Sequence, residues 1–348
     1  MIDVADEATA RLGVPASPAT STPTVPVAGR ASARPATGRS AGRRGSGPFR
    51  KGLEITLFVA PALALLGMFV VVPIARAVQI SFFKWKGYGD FEKFVGLENY
   101  RRVLDNPEFI EAFQHNMIIV VASIAIQLPL GLAIALLLNR KMRGQGILRT
   151  IIFVPYVLSE VIAGVIWYQM FVPNEGIIDT VLSSIGLSGP KQGFTGSLEW
   201  ALPAVIAVLT WKYLGMAIIL FLAGLQGVPE ELYEAAQLDG ASWWQIQRRV
   251  TIPMLGPTLR TWAFLSMIGS LQLFDMVWVL TGGGPANATS TMATFLIQQG
   301  TQRSNYGIAS AASVILFIVA LVLALLYQRF IMNRDNTETV VRRKKVSR

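Results

Sequence analysis

Several polar side chains stand inside otherwise apolar stretches of this chain. One stretch carries Ser266, Ser270, Gln272, Asp275 and Trp278, a second carries Glu160 with Trp167, Tyr168 and Gln169, and a third carries Lys212. Hydroxyl, amide and carboxylate groups can hydrogen-bond a hydroxyl-bearing solute while an aromatic face covers its apolar surface. On a helix, Ser266, Ser270 and Gln272 share one sector. Each group also has a plainer use. Serine packs membrane helices together, aromatic residues near span ends anchor at the interface, and a Lys212–Glu160 pair would neutralise two costly charges. Asp275 could pair with a neighbour or face a wet cavity. The chain has no cysteine and one histidine, His115, which reads as an ordinary polar residue beside Asn116. Without paired carboxylates or an H-E-x-x-H pattern, the sequence offers neither a catalytic site nor a metal site.

The elements holding these residues are membrane helices. Of 348 residues, 52% are hydrophobic and 15% charged, well below the roughly 25% charge of a soluble chain. Six apolar segments approach the ~20 residues that cross a bilayer: Ile55–Ile74, Met117–Leu138, Thr150–Phe171, Leu202–Leu225, Pro257–Leu280 and Ile308–Ile331. Residues 1–50, rich in Ala, Pro, Ser, Thr, Gly and Arg, read as a disordered basic tail, and 332–348 as a second basic tail. An even number of spans places both tails on one side. Arg39, Arg43, Arg44, Arg50 and Lys51 precede the first span, Arg140, Lys141, Arg143 and Arg149 fill the short second-to-third loop, and Arg334, Arg342, Arg343, Lys344, Lys345 and Arg348 follow the last span. Positive charge marks the cytoplasmic side, so a multi-pass cell-membrane protein with both termini cytoplasmic is expected. The first outer loop is an exception, with Lys84, Lys86, Lys93, Arg101 and Arg102. The formal charge of +10 then records orientation and contact with anionic membrane lipid. Nucleic acid is not an expected partner, because the tails lack interleaved aromatic residues.

Between the fourth and fifth spans runs a polar loop, Gln226–Pro253. Pro229 suits a first helical turn, and Glu230, Glu231 and Glu234 suit the positive end of its dipole. Gly240 suits a left-handed stop, Ser242 a second cap, and Pro253 limits the second helix. Two short helices joined at a glycine bend are expected. Physics alone leaves two roles: an interfacial anchor with Trp243 and Trp244 at headgroup level, or a docking element for a soluble partner with small Ala235 and Ala236 permitting close approach.

Glu234-Ala235-Ala236, Gly240 and Ile252-Pro253 resemble the EAA loop of binding-protein-dependent ABC importer permeases. Phe58-Val59-Ala60-Pro61, Phe94 to Tyr100, Arg149 to Pro155, Trp211-Lys212 and Leu280-Thr281-Gly282-Gly283-Gly284-Pro285 resemble the sugar-importer branch, the maltose-type first permease subunit in particular. Ile252 stands where leucine is common, and Glu160 where the resemblance leads one to expect proline. The resemblance implies an all-α type I importer bundle of six transmembrane helices, with a first helix and outer loop over 51–110 and a permease core over 111–331. It implies that Glu234, Ala235, Ala236, Asp239, Gly240, Ile252 and Pro253 form the element that seats on a cytoplasmic ATPase. It also implies two ATPase subunits, a second homologous permease and an extracytoplasmic solute-binding protein as partners, with a sugar as substrate. The fifth span would then carry the substrate-contacting residues. ATP would bind the partner, since the sequence has no G-x-x-x-x-G-K-[ST] loop. Gly282-Gly283-Gly284, expected outside the membrane, reads as a turn.

Two other classes compete. An ion-gradient-driven secondary transporter or channel subunit should show an internal repeat or a charge-lined filter, and neither is evident. A membrane-embedded enzyme lacks its chemistry.

Overall fold

Lipid offers no partner to backbone N–H and C=O groups, so each long apolar run must close its own hydrogen bonds as a helix. The computed structural model describes residues 48–140 and 142–332, with side chains from Thr56. The two expected tails lie outside the described residues except for Pro48–Arg50, which already belong to the first helix, and Met332, which closes the last. Lys141 also lies outside them. The packing below is that of residues 60–332.

Helix α1 (Pro48–Leu66) passes through a π turn (Gly67–Val71) into α2 (Val72–Ser81). A short antiparallel hairpin follows, β1 (Phe83–Lys84) on β2 (Lys93–Phe94), with Phe83 opposite Phe94. Next come α3 (Glu98–Leu104), α4 (Pro107–Leu138), α5 (Gln145–Val157), α6 (Glu160–Met170), α7 (Ile177–Ser184) and α8 (Ala201–Gln226). The polar loop forms α9 (Glu230–Leu238), α10 (Trp243–Ile246), a π turn (Gln247–Thr251) and α11 (Ile252–Met254). The chain ends through α12 (Gly256–Leu271), α13 (Asp275–Leu280), α14 (Met292–Ile297), a π turn (Gln298–Gln302), α15 (Tyr306–Tyr327) and a last π turn (Gln328–Met332).

Among the described residues, four helices are long and apolar enough to cross a membrane: Thr56–Ser81, Pro107–Leu138, Ala201–Gln226 and Tyr306–Met332. They take up the first, second, fourth and sixth expected spans. The third and fifth are not the continuous helices that hydropathy suggests. The third divides into α5 and α6, bent by 98°, because Leu158 and Ser159 leave helical geometry at ψ 142° and 144°. Glu160 begins the new helix. Its place explains the departure from proline: proline is favoured at a first helical position, and a carboxylate suits the same end of the dipole. The fifth divides at Gln272–Phe274 into α12 and α13. With 16 residues, α12 spans about 24 Å and falls short of the ~30 Å hydrocarbon core.

Helix α8 is the centre of the bundle. Val205, Val208 and Leu209 pack with Ala163 of α6 and Met276, Val277 and Leu280 of α13. Further along, Ile218, Phe221 and Leu222 pack with Leu132 and Ala135 of α4 and with Trp262 of α12. Helix α4 approaches closely at Gly131, where a Cβ would stand 3.1 Å from that of Ala217. Phe69, Val121, Ile151, Phe317 and Leu325 remain exposed on the outer faces of the spans, as helices in lipid require.

The connection after α13 folds inward. Gly282 and Gly283, at φ 62° and 89°, make the expected glycine turn, which only residues without a Cβ adopt freely. The Thr289 hydroxyl donates to Gly284 O at 2.9 Å and lies 2.7 Å from that of Thr281. Thr289–Phe295 are then buried to within 8% exposure. Asn116 of α4 fastens this segment to the broken fifth span. Its Nδ2 donates to Ser270 O at 2.7 Å, and its Oδ1 accepts from Met292 N at 2.8 Å. Thr291 Oγ1 donates to Leu273 O at 2.8 Å, so the carbonyls freed by the break find donors. His115 is half-buried and places Nδ1 3.0 Å from Ser290 O, which requires the proton on that nitrogen. In the loop after the first span, Lys86, Arg101 and Arg102 are matched by Glu92, Asp105 and Glu98, and Arg303 forms a two-bond pair with Glu108 at 2.9 and 3.0 Å. That carboxylate raises the guanidinium pKa above its ordinary value, chiefly through the hydrogen bonds.

Candidate functional site

Two regions gather the residues singled out above. The first is the polar hairpin, whose form follows from local signals. Pro229 caps α9, and Glu230 and Glu231 occupy its first turn. Gly240, at φ 74°, ends it in a Schellman arrangement: Gly240 N donates to Gln237 O and Ala241 N to Ala236 O, both at 3.0 Å. Ser242 N then donates to Gln245 Oε1 at 2.7 Å in a capping box that starts α10. Pro253 does not stop the helix as expected. The π turn before it shifts bonding by one residue, Ile252 N donating to Gln247 O, and the chain passes the missing N–H into α11.

No residue of α9 is buried. Leu238 is 89% and Trp244 75% exposed, while Glu234, Ala235, Asp239, Gly240, Ile252 and Pro253 are exposed and Ala236 half-buried. The hairpin is tied back by Thr251 Oγ1, which donates to the Tyr233 hydroxyl at 3.4 Å. Arg140 of the second-to-third loop lies 5.0 Å from the Trp243 ring, which places that basic loop and the hairpin at the same end of the bundle.

The second region is a cavity of about 190 Å³ between α4, α5, α8 and α12. Of the expected pathway residues it takes in Ser266 and Ser270. Facing them stand Ser123 and Gln127 of α4, which sequence reasoning missed, and Tyr156, Tyr213 and Trp262 join Leu209, Met216 and Leu273 in a wall that is mostly apolar. Both serines of α12 and both polar residues of α4 are spaced i, i+4, the signal that could have found the second pair. Gln127 is 2% exposed with no side-chain bond to protein among the described residues, and Trp262 Nε1 is buried without an acceptor. Buried polar groups left open to a cavity are fitted to a ligand or to water.

Gln272, Asp275, Trp278, Glu160 and Lys212 do not line it. Gln272 and Asp275 are exposed at the break between α12 and α13, and Trp278 stacks on Phe274 at 5.3 Å. Lys212 Nζ donates to Leu158 O at 2.6 Å, and Glu160 accepts from the Tyr213 hydroxyl. The direct Lys212–Glu160 pair is therefore replaced by two bonds, one on each side of the break in the third span. Among the described residues no three acidic, histidine or cysteine side chains gather as a metal site.

A multi-pass helical bundle with a cavity between its helices that carries a few polar groups, and with an exposed helical hairpin at one end, is the build of a membrane transport subunit. The comparisons say which. The family described as binding-protein-dependent transport system inner membrane component matches residues 127–334. The chain is 36% identical over 282 residues to the lactose transport system permease protein LacF of Rhizobium radiobacter, covering 80% of this chain and 93% of that one. It is 33% identical over 271 residues to the trehalose/maltose transport system permease protein MalF of Thermococcus litoralis, covering 78% and 91%. A solved bacterial alginate ABC transporter, in complex with an alginate pentasaccharide-bound periplasmic protein, superposes with a TM-score of 0.72 at 26% identity over 83% of this chain and 96% of that one. The chain belongs to the binding-protein-dependent transport family: it is an ABC importer permease subunit and not an enzyme.

Proposed function

We propose that this permease forms half of the membrane path of an ATP-driven importer for a sugar or oligosaccharide. The observation that carries the reading is the exposed α9–Gly240–α10 hairpin, a preformed helical element that the described residues leave uncovered. Glu234, Ala235, Ala236, Asp239, Gly240, Ile252 and Pro253 belong to the surface that seats on one of two cytoplasmic ATPase subunits, which bind the ATP. Lactose, trehalose and maltose in the names of the relatives, and alginate in that of the solved structure, support a carbohydrate. The pentasaccharide-bound periplasmic protein of that structure supports delivery by an extracytoplasmic solute-binding protein.

The solute passes along Ser123, Gln127, Tyr156, Tyr213, Ser266 and Ser270. Gln272, Asp275 and Trp278 lie where a second, homologous permease completes the path. With α5–α6 and α12–α13 each taken as one broken span, the spans number six and both termini are cytoplasmic. The shared position of the hairpin and the Arg140 loop supports that orientation. Residues 51–110 then form the first helix and outer loop, and 111–331 the core.

The test is uptake of labelled lactose, maltose and trehalose into proteoliposomes holding the whole complex with its binding protein. Uptake should require ATP and the ATPase, and should collapse when Glu234 and Gly240 are replaced. Uptake that persists without the ATPase and in those variants would refute the reading.

A further inference from the structure

A lysine ammonium deep in a membrane bundle is costly, and Lys212 is 3% exposed. Its charge meets a backbone oxygen, Leu158 O, at 2.6 Å. That oxygen belongs to the carboxyl end of α5, where the last carbonyls lack helical partners and the dipole favours a cation. One residue further along α8, Tyr213 donates its hydroxyl to Glu160 in the first turn of α6, the end where the dipole favours an anion. Two consecutive residues of one helix thus grip both sides of one break. Helix α5 packs chiefly on α8 and α6 chiefly on α13, with α6 also reaching α8 at Ala163 and at Trp167, edge to face on Trp211, so the two polar bonds are the contacts that fall directly on the corner where the 98° bend is made.

Lys212 stays outside the cavity, whereas Tyr156 and Tyr213 line it, their rings 6.2 Å apart edge to face. We propose that Lys212 is a positioning residue: by holding the Leu158 carbonyl it sets the angle of the broken third span, and with it the Tyr156–Tyr213 wall of the solute path, without touching the solute. The proposal rests on the cavity being the path, but the angle can be measured without transport.

The chain has no cysteine, so Ile147→Cys and Ile166→Cys, at exposed positions of α5 and α6, can be spin-labelled on the permease before it is assembled with its partners in nanodiscs. Lys212→Met should lengthen and broaden the interspin distance, and Lys212→Arg, which keeps charge and donor, should restore it. Losing a charged hydrogen bond should lower the maximal binding-protein-stimulated ATPase rate about tenfold or more, with half-saturation by binding protein unchanged and the rate recovered by arginine. If Lys212→Met does not reach the membrane, Lys212→Gln supplies the comparison. Unchanged distances in the methionine or glutamine variant overturn the proposal whatever the rates do. If the distances shift as expected but the unsubstituted complex moves no sugar, it is the transport reading that fails.

Discussion

Replacing Gly240 with alanine separates backbone geometry from contact. A Cβ at Gly240 meets nothing within 4 Å, so the whole effect comes from φ 74°, a conformation that costs an L-residue about 1–2 kcal/mol. The Schellman bonds from Gly240 to Gln237 and from Ala241 to Ala236 close only in that conformation, so the cost falls on the last turn of α9. A penalty of 1–2 kcal/mol shifts an equilibrium by a factor of about 5–30. Amide exchange across 237–241, read by mass spectrometry on the complex, should quicken by that factor while α4 and α8 stay as protected as before. Gly240→Asn should be milder, because asparagine tolerates the left-handed region. Sugar-stimulated ATP hydrolysis should fall in the order glycine, asparagine, alanine. Identical exchange in all three proteins would refute the account, for it would mean that the turn does not depend on this conformation.

Four further outcomes follow from the cavity, the packing and one surface ion pair. Gln127→Leu removes a buried amide with no protein partner among the described residues, so folding should be unharmed or improved while sugar uptake falls about tenfold or more, the loss expected when a polar solute meets a site lacking its partner. Asn116→Leu strands Ser270 O and Met292 N together, about 2–4 kcal/mol at the usual cost of buried unmet groups, and should lower the thermal midpoint in detergent by several degrees; Arg303→Met, at the half-exposed Glu108 pair, should cost about 1 kcal/mol at most. Gly215→Leu should abolish assembly, because a Cβ there already collides with Ile152 O of α5 and stands 3.1 Å from Phe153 Cα, which membrane-insertion yield would show.

The hairpin was legible in the sequence because its instructions are local. Pro229, Glu230, Gly240 and Ser242 act within a turn or two of themselves, and a reader of residue types meets cause and effect together. The spans were legible as apolar lengths, yet their breaks were not. Hydropathy sums composition over a window and is blind to where the backbone ladder stops, so Thr150–Phe171 and Pro257–Leu280 read as single rods. What allows the ladder to stop lies far away in sequence: Lys212 for Leu158, Asn116 for Ser270, Thr291 for Leu273. The same distance hid half of the cavity. Ser266 and Ser270 were found because they share a span with other polar residues, whereas Ser123 and Gln127 look like packing groups until α4 is laid against α12. Pro253 misled for the opposite reason, since its local veto on helix was evaded by one wide turn.

The near-right angle in the third span also makes it a crank. In a straight helix, rotation about the long axis leaves the far end where it was. Here α6 stands at 98° to α5 and, with 11 residues, reaches about 16 Å from the corner. Turning α5 by some ten degrees about its own axis sweeps the far end of α6 through about 3 Å, enough to widen or pinch a passage of one sugar ring. A small twist of α5 would thereby be converted into a sideways stroke of the far end of α6, with the elbow at Leu158 and Ser159 as the bearing.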